Sequence, residues 1–449
     1  SDGQVLTSKG SAVAWEDAGG GGASAIDGLS DATTSASSVW LGSTPSSSTD
    51  YNASLGIGAL DALNGTNGTK NVAVGYNAGT ANTEGFKNVF VGYAAGAANT
   101  DADYNVFVGS QAGTVNITGL RNIAIGANAY DGADAESDNL AIGYAALGGA
   151  VAGGEKNIAI GNYSLDALTS AEQTIAIGHY AGSGTTTGAN NTFIGYQSGK
   201  DNATGALNTA IGKEAMKGSG TPSGDWNVSV GAQANYSISN GAANVAVGYQ
   251  SLYTNTTHDS NTAIGHNSMY GATSDHSVAV GRDTLRSSTT DYQVAVGNNA
   301  LYAATSGIGN TAVGFNSSRY LTEGDYNITL GYEAGKAITT GDKNIYIGYQ
   351  AGDGSDAESG MIGIGEGALG GTNQGAAYCV AIGNYAMAGT TSATYTIAMG
   401  QGAGQSTTTG GNNVWLGANA GYANTTGGRN IAIGRNAYDA SDAESDNIA

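Results

Sequence analysis

Apolar residues in this chain come in trios, each closed by a glycine and followed by a longer polar stretch, from about residue 38 to the end. Twenty-four such glycines run from Gly42 through Gly58, Gly75 and Gly92 to Gly434, and 17 of the 23 intervals between them are seventeen residues long. Aligned on that glycine, the unit reads N-[VIT]-A-[IV]-G-x-x-[AS]-[GLM] and then about eight polar residues, as in NVAVGYNAG, NIAIGNYSL and NTAIGHNSM. So short a fixed period leaves no room for helix pairs or propeller blades. It predicts an all-β parallel β-solenoid of about 24 coils, each contributing one repeat and one short strand.

Alternation along the strand separates two faces. The residues one and three before the glycine, such as Ile123 and Ile125, Val245 and Val247, or Ile431 and Ile433, are expected to form the buried face. The residue between them is usually Ala but becomes Trp40, Phe90, Phe107, Phe193, Tyr346 or Trp415 in six coils. A position that accepts both sizes is expected to face solvent or a loosely fitted groove. Three residues after the glycine, 22 of 24 coils carry Ala, Ser or Thr, which marks close packing; the exceptions, Pro45 and Asp61, sit in the first two coils, where a cap is expected. Four residues before the glycine, Asn71, Asn88, Asn105, Asn122, Asn244, Asn327 and Asn430 predict a stacked hydrogen-bonded ladder. One good strand per coil supplies little core, so the apolar face is expected to be closed by copies of the same chain, as a parallel homotrimer.

Composition narrows the partners. A net charge of −21 without Lys or Arg clusters argues against nucleic acid and anionic membranes. No apolar stretch reaches membrane-spanning length, so no membrane insertion by this segment is expected. The single cysteine, Cys379, stands in a position usually held by Asn and is read as a substitution without redox role. Two domains are expected: a junction over residues 1–37 with a flexible glycine run at Gly19 to Gly22, and a solenoid over 38–449. The last unit stops part-way, so the solenoid is expected to be truncated at its C-terminus.

The coil sequences NVAVGYNAG, NIAIGANAY and NTAIGKEAM resemble those in the head domains of trimeric autotransporter adhesins, and such repeats also occur in bacteriophage tail fibres. The resemblance covers about 400 residues, with a longer period than is usual there. It implies a trimer of parallel β-rolls that is extracellular, on a virion tail fibre or a bacterial surface. The opening segment DGQVLTSKGSAVAWEDAGGGG resembles the junctions of marine phage fibre proteins and tilts the expectation toward a tail fibre.

Candidate chemistry is sparse. Residues 134–195 return as 356–417, and 342–359 as 428–445, without insertions. Copying of this kind suits a shaft and suits a catalytic site poorly. In the acidic loops, Asp134, Glu136 and Asp138, and again Asp442, Glu444 and Asp446, place alternate carboxylates where calcium could bind; solvated loop charge is the other reading. Tyr76, Tyr93, Tyr144, Tyr196, Tyr249, Tyr332 and Tyr349 follow coil glycines, as a row for glycan contact or as cover between coils. His179, His258, His266 and His276 accompany no nucleophile in a recognisable setting. The function expected is therefore a structural and attachment fibre binding a cell-surface glycan or protein receptor, and not an enzyme. Its alternatives are an adhesin head and a polysaccharide-degrading spike.

Overall fold

The computed structural model describes residues 4–9, 12–17, 32–35, 38–42, 51–64, 67–220, 222–372, 374–440 and 442–449. It is all-β, without a helix among the described residues, and forms a parallel β-solenoid of about 22 turns, slightly fewer than the glycine count suggests. Two compact units are present. The first runs through Glu214 and takes in Gly220–Ser223; the second comprises Ala215–Ser219 and Gly224–Ala449. Near the start, β1 (Gln4–Lys9) pairs antiparallel with β2 (Ala12–Asp17), and β3 (Ala32–Ser35) with β4 (Ser38–Gly42). From β4 the first unit continues in parallel through β5 (Ala53–Gly56) and nine three-residue strands, β6 (Val72–Val74) to β14 (Thr209–Ile211). The second unit carries thirteen, from β15 (Val228–Val230) to β27 (Ile431–Ile433).

Within each unit the coils are bonded to their neighbours in register. In the coil of Gly92, the Val89 N–H donates to Asn105 O (2.8 Å), Gly92 N–H to Val74 O (2.8 Å) and Gly96 N–H to Ala112 O (2.9 Å). The backbone groups thus find partners above and below by turns, as buried backbone must. The coil glycine closes each strand with φ of about +122 to +142°, as in Gly178 at +141°, a conformation open almost only to glycine. A methyl group there would lie 2.7 Å from the carbonyl carbon of Gly195 in the next coil. Two independent restrictions therefore fix this residue, which is why the period is so visible.

The register corrects one position. Gly42 pairs with Gly56, and it is Gly56, with φ +138°, that meets Gly75 in the next coil. Gly58 lies two residues past the coil glycine, and the small residue of this coil is the buried Ala59, so Asp61 is no exception to the pattern. Pro45 lies outside the described residues.

The strand faces are the reverse of the expectation. The middle residue points inward and is fully buried, whether it is Ala124 and Ala246 or Phe90, Phe107, Phe193, Tyr346 and Trp415. The Val and Ile flanking it point outward: Ile123 and Ile125 are 38% and 40% exposed. The side chain of Trp40 lies outside the described residues. Size tolerance at the middle position comes from a second residue, the fourth after the coil glycine. Where the middle is alanine and no ring lies in the next coil, that residue is typically a buried Leu or Met, such as Leu147, Leu165, Met269 or Leu301. Where the middle is aromatic, it is glycine in the same coil and in the preceding one. A methyl at Gly182 would lie 2.8 Å from the Phe193 ring, and Gly199 faces the same ring. Gly79 and Gly96 flank Phe90, Gly335 and Gly352 flank Tyr346, and Gly404 and Gly421 flank Trp415. The interior is close-packed by exchanging one large side chain for another across the coil, and it closes within a single chain.

Candidate functional site

Because the core closes without a partner, the surface outside it becomes the candidate. The outward strand residues form two parallel columns in each unit. Val72, Val89, Val106 and Ile123 stack in one such column of the first unit, and Ile345, Ile362, Val380 and Ile397 in the second. In-register stacking covers each side chain from above and below, leaving most of them half-buried and a minority more open, as at Ile328 and Leu330 with 44% and 46% of their surface exposed. β-Branched residues suit a pleated surface on either face, so their identity alone did not reveal which face is inside.

The asparagines before the strands are interior and bonded to backbone. Asn88 N–H donates to Asn71 Oδ1 (2.9 Å), while Asn71 Nδ2 donates to Gly85 O (2.8 Å); Asn105, Asn122, Asn244, Asn327 and Asn430 repeat the arrangement. Each side chain therefore links the backbones of successive coils and closes a loop, with no surface left for a partner. Cys379 fills one of these slots, its thiol directed to Ala393 O at 3.3 Å, and burial raises its pKa above the ordinary thiol value.

The acids of these loops bond to separate partners, some through the carboxylate and some through the backbone carbonyl. Asp138 pairs with Arg121 through two oxygens, at 2.6 and 2.9 Å, which lowers its pKa below the ordinary aspartate value. The buried Glu136 accepts Gly153 N–H (2.7 Å), whereas the Asp134 carbonyl accepts Ile117 N–H (2.7 Å). Asp446 repeats the arginine pairing with Arg429, Asp442 bonds Thr425, and the Glu444 carbonyl accepts Asn430 Nδ2. Among the described residues, no three His, Cys, Asp or Glu side chains are grouped as a metal site.

The tyrosines after the coil glycines stand exposed beside the outward columns. Tyr76 stacks on Tyr93 (5.7 Å) and Tyr332 on Tyr349 (5.3 Å), Tyr196 stacks on His179 (5.8 Å), and Tyr249 tilts against His266 (5.3 Å). Tyr144 meets Tyr163 edge-on. A different aromatic column escaped the sequence reading. The fifth residue after the coil glycine is Tyr236, Tyr253 and Tyr270 in consecutive coils, stacked at 4.9 and 5.0 Å, with Arg286 over the Tyr270 ring. Its signal in the sequence was a seventeen-residue recurrence of Tyr outside the motif.

Among the described residues no helix is long and apolar enough to cross a membrane. No protein-family model matches the chain, and no curated protein matches it.

Proposed function

We propose that the chain is the repetitive shaft of an extracellular attachment fibre, of the tail-fibre kind, in which copies associate as a parallel homotrimer through the outward Val and Ile columns. The observation that carries this reading is a pair of outward columns, one apolar in every coil from Leu55 to Ile433 and the other interrupted by Thr192, Thr209, Thr262 and Thr311, on coils whose interior is already filled. A continuous exposed apolar strip suits an association site, and in-register copies of one chain match it residue for residue. Duplicated coils lengthen a shaft without disturbing a site. Acidic loops, at a net charge of −21, keep the assembly soluble.

Light scattering on the chain tests it. The expected mass is three times 44.3 kDa, and a variant with Ile328 and Leu330 changed to Lys is expected to keep its β-sheet circular dichroism while losing mass. A wild-type particle of 44.3 kDa at micromolar concentration would overturn the shaft reading.

A further inference from the structure

Arginine is used in two ways on this surface. Arg121 and Arg429 are each neutralised by a facing aspartate. Three of the six arginines of the chain gather instead on the second unit, on the segments that follow Gly281 and Gly314. Arg282, Arg286 and Arg319 line one surface groove of about 400 Å³, within the usual range for small-molecule sites. Arg282 and Arg286 share one carboxylate, Asp283, at 3.0 and 3.1 Å. Among the described residues Arg319 has no carboxylate partner; its Nε is buried without a hydrogen bond there and its Nη1 reaches Asn316 Oδ1 only at 3.4 Å. Three guanidinium groups against one aspartate leave the groove two positive charges in excess, on a chain of net charge −21. Glu333, on the next coil, is held by Lys336 at 2.9 Å.

The groove is also built. Tyr302 sits between Arg286 and Arg319, its ring centre 6.0 and 5.7 Å from the two guanidinium carbons, which fixes both side chains by cation–π contact. Asn299 Nδ2 donates to Asn316 Oδ1 (3.1 Å), and Asn298 Oδ1 accepts the Arg282 N–H (3.2 Å), so the amides of the wall are oriented. Phe315, one face of its ring stacked on Tyr332 at 5.3 Å, adds the exposed remainder of that ring to the lining.

We propose that this groove binds a saccharide carrying a carboxylate. The guanidinium forks of Arg319 and Arg286 take the carboxylate, the asparagine amides meet sugar hydroxyls, and the part of the Phe315 ring left open by Tyr332 packs against the apolar face of a sugar. The proposal rests on the attachment reading above and gives it a ligand class. A polyphosphate chain such as nucleic acid is disfavoured, because the positive patch spans only a few coils of a strongly acidic surface.

Titration calorimetry of the full chain against trigalacturonate, with a neutral dextran oligomer and a sulfated one in parallel, tests it. Trigalacturonate is expected to bind, more weakly as salt rises, and Arg319→Ala and Arg286→Ala are each expected to weaken it at least tenfold. Arg121→Ala, which removes the same charge elsewhere, is expected to leave binding unchanged. Circular dichroism and mass, measured on every variant, separate loss of fold from loss of site. Equal binding by wild type and Arg319→Ala, equal binding of the neutral oligomer, or binding of the sulfated oligomer alone would each overturn the proposal. Absence of binding by a particle of trimeric mass overturns the groove and leaves the shaft; binding by a monomer does the reverse.

Discussion

The coil built around Phe193 and the coils built around Ala124 and Ala263 enclose the same space by different means. In the first, one ring fills the interior and Gly182 and Gly199 stand back from it. In the others a methyl group on the strand faces Tyr130 or Met269 from the far wall. The backbone path is common to both, so the solenoid fixes the volume between its walls and leaves open which wall supplies the bulk. A repeat can therefore vary by paired exchange and remain in register with its neighbours. An unpaired exchange leaves a cavity or a clash in a tightly packed interior.

The largest effect is expected where the two kinds of coil are alike. Gly178→Ala puts a side chain into a conformation costing about 1–3 kcal/mol and drives its methyl against backbone, a further cost of about 1–3 kcal/mol. The neighbour is the Gly195 carbonyl, which cannot turn aside, so the loss is expected near the upper end. Because repeat arrays lose stability locally, hydrogen exchange at the strands Ile175–Ile177 and Thr192–Ile194 is the measurement. Unchanged protection would mean that the glycine is dispensable and the period has another cause.

Next comes the exchange itself. Phe193→Ala is expected to cost about 3–5 kcal/mol through the cavity it leaves, and Gly199→Leu alone to clash with the ring. Together they recreate the alanine type of coil, and the double variant is expected to recover more than half of the summed losses in a double-mutant cycle. The backbone at Gly199 permits leucine, because Leu147 and Leu165 occupy the equivalent position with φ of 52° and 50°. Strict additivity would refute the complementarity.

This pairing explains what the sequence disclosed and what it concealed. Period, strand positions and the parallel solenoid follow from the coil glycine, whose two restrictions act within one coil and its neighbour. The strand alone points to the wrong face, because Val and Ile outrank Ala in apolarity while the interior volume is shared with a residue outside the strand. The corrective signal lay in the sequence, in glycine rather than Leu or Met four residues after coil glycines whenever the middle residue there or in the next coil is aromatic. Gly58 was mistaken for a coil glycine because the proper one, Gly56, closes a strand, ASLG, that lacks the motif. Arg282, Arg286 and Arg319 passed unnoticed because they meet only when coils are stacked: 33 residues separate Arg286 from Arg319.

A feature that runs unchanged through both kinds of coil sharpens the comparison from the other side. Asn105 precedes Phe107 and Asn122 precedes Ala124, yet each accepts the next asparagine N–H, from Asn122 at 2.8 Å and from Asn139 at 2.9 Å. Replacing either with Ala strands the buried N–H of the next asparagine, while the carbonyl each side chain serves keeps a second donor, Asn116 Nδ2 at Gly119 O and Tyr130 OH at Glu136 O, so the cost is about 2 kcal/mol in both. Equal losses are expected, read by urea-dependent exchange of the local amides. A clear difference would mean that the interior side chain and the asparagine row are coupled.

The smallest effect separates the aromatic coils from one another. Tyr346 is the phenol among them, its hydroxyl donating to Ser355 Oγ at 2.9 Å inside the coil. Removing that bond in Tyr346→Phe is expected to cost about 1 kcal/mol at pH 7. Burial, foremost, raises the phenol pKa above its ordinary value, and this reverses the comparison in alkali. The unfolded chain releases the proton near about pH 10 while the folded chain retains it, so the folded state binds more protons and stability falls as pH rises through that range. The variant, lacking the hydroxyl, has no proton to retain. The gap between wild type and variant, followed by exchange at Ile345–Ile347, is therefore expected to shrink above about pH 10 and to change sign as the pH climbs further. A gap constant from about pH 7 to 11 would mean that the ring reaches water in the folded coil, against the tight fit between Gly335 and Gly352 on which the exchange of ring for glycine depends.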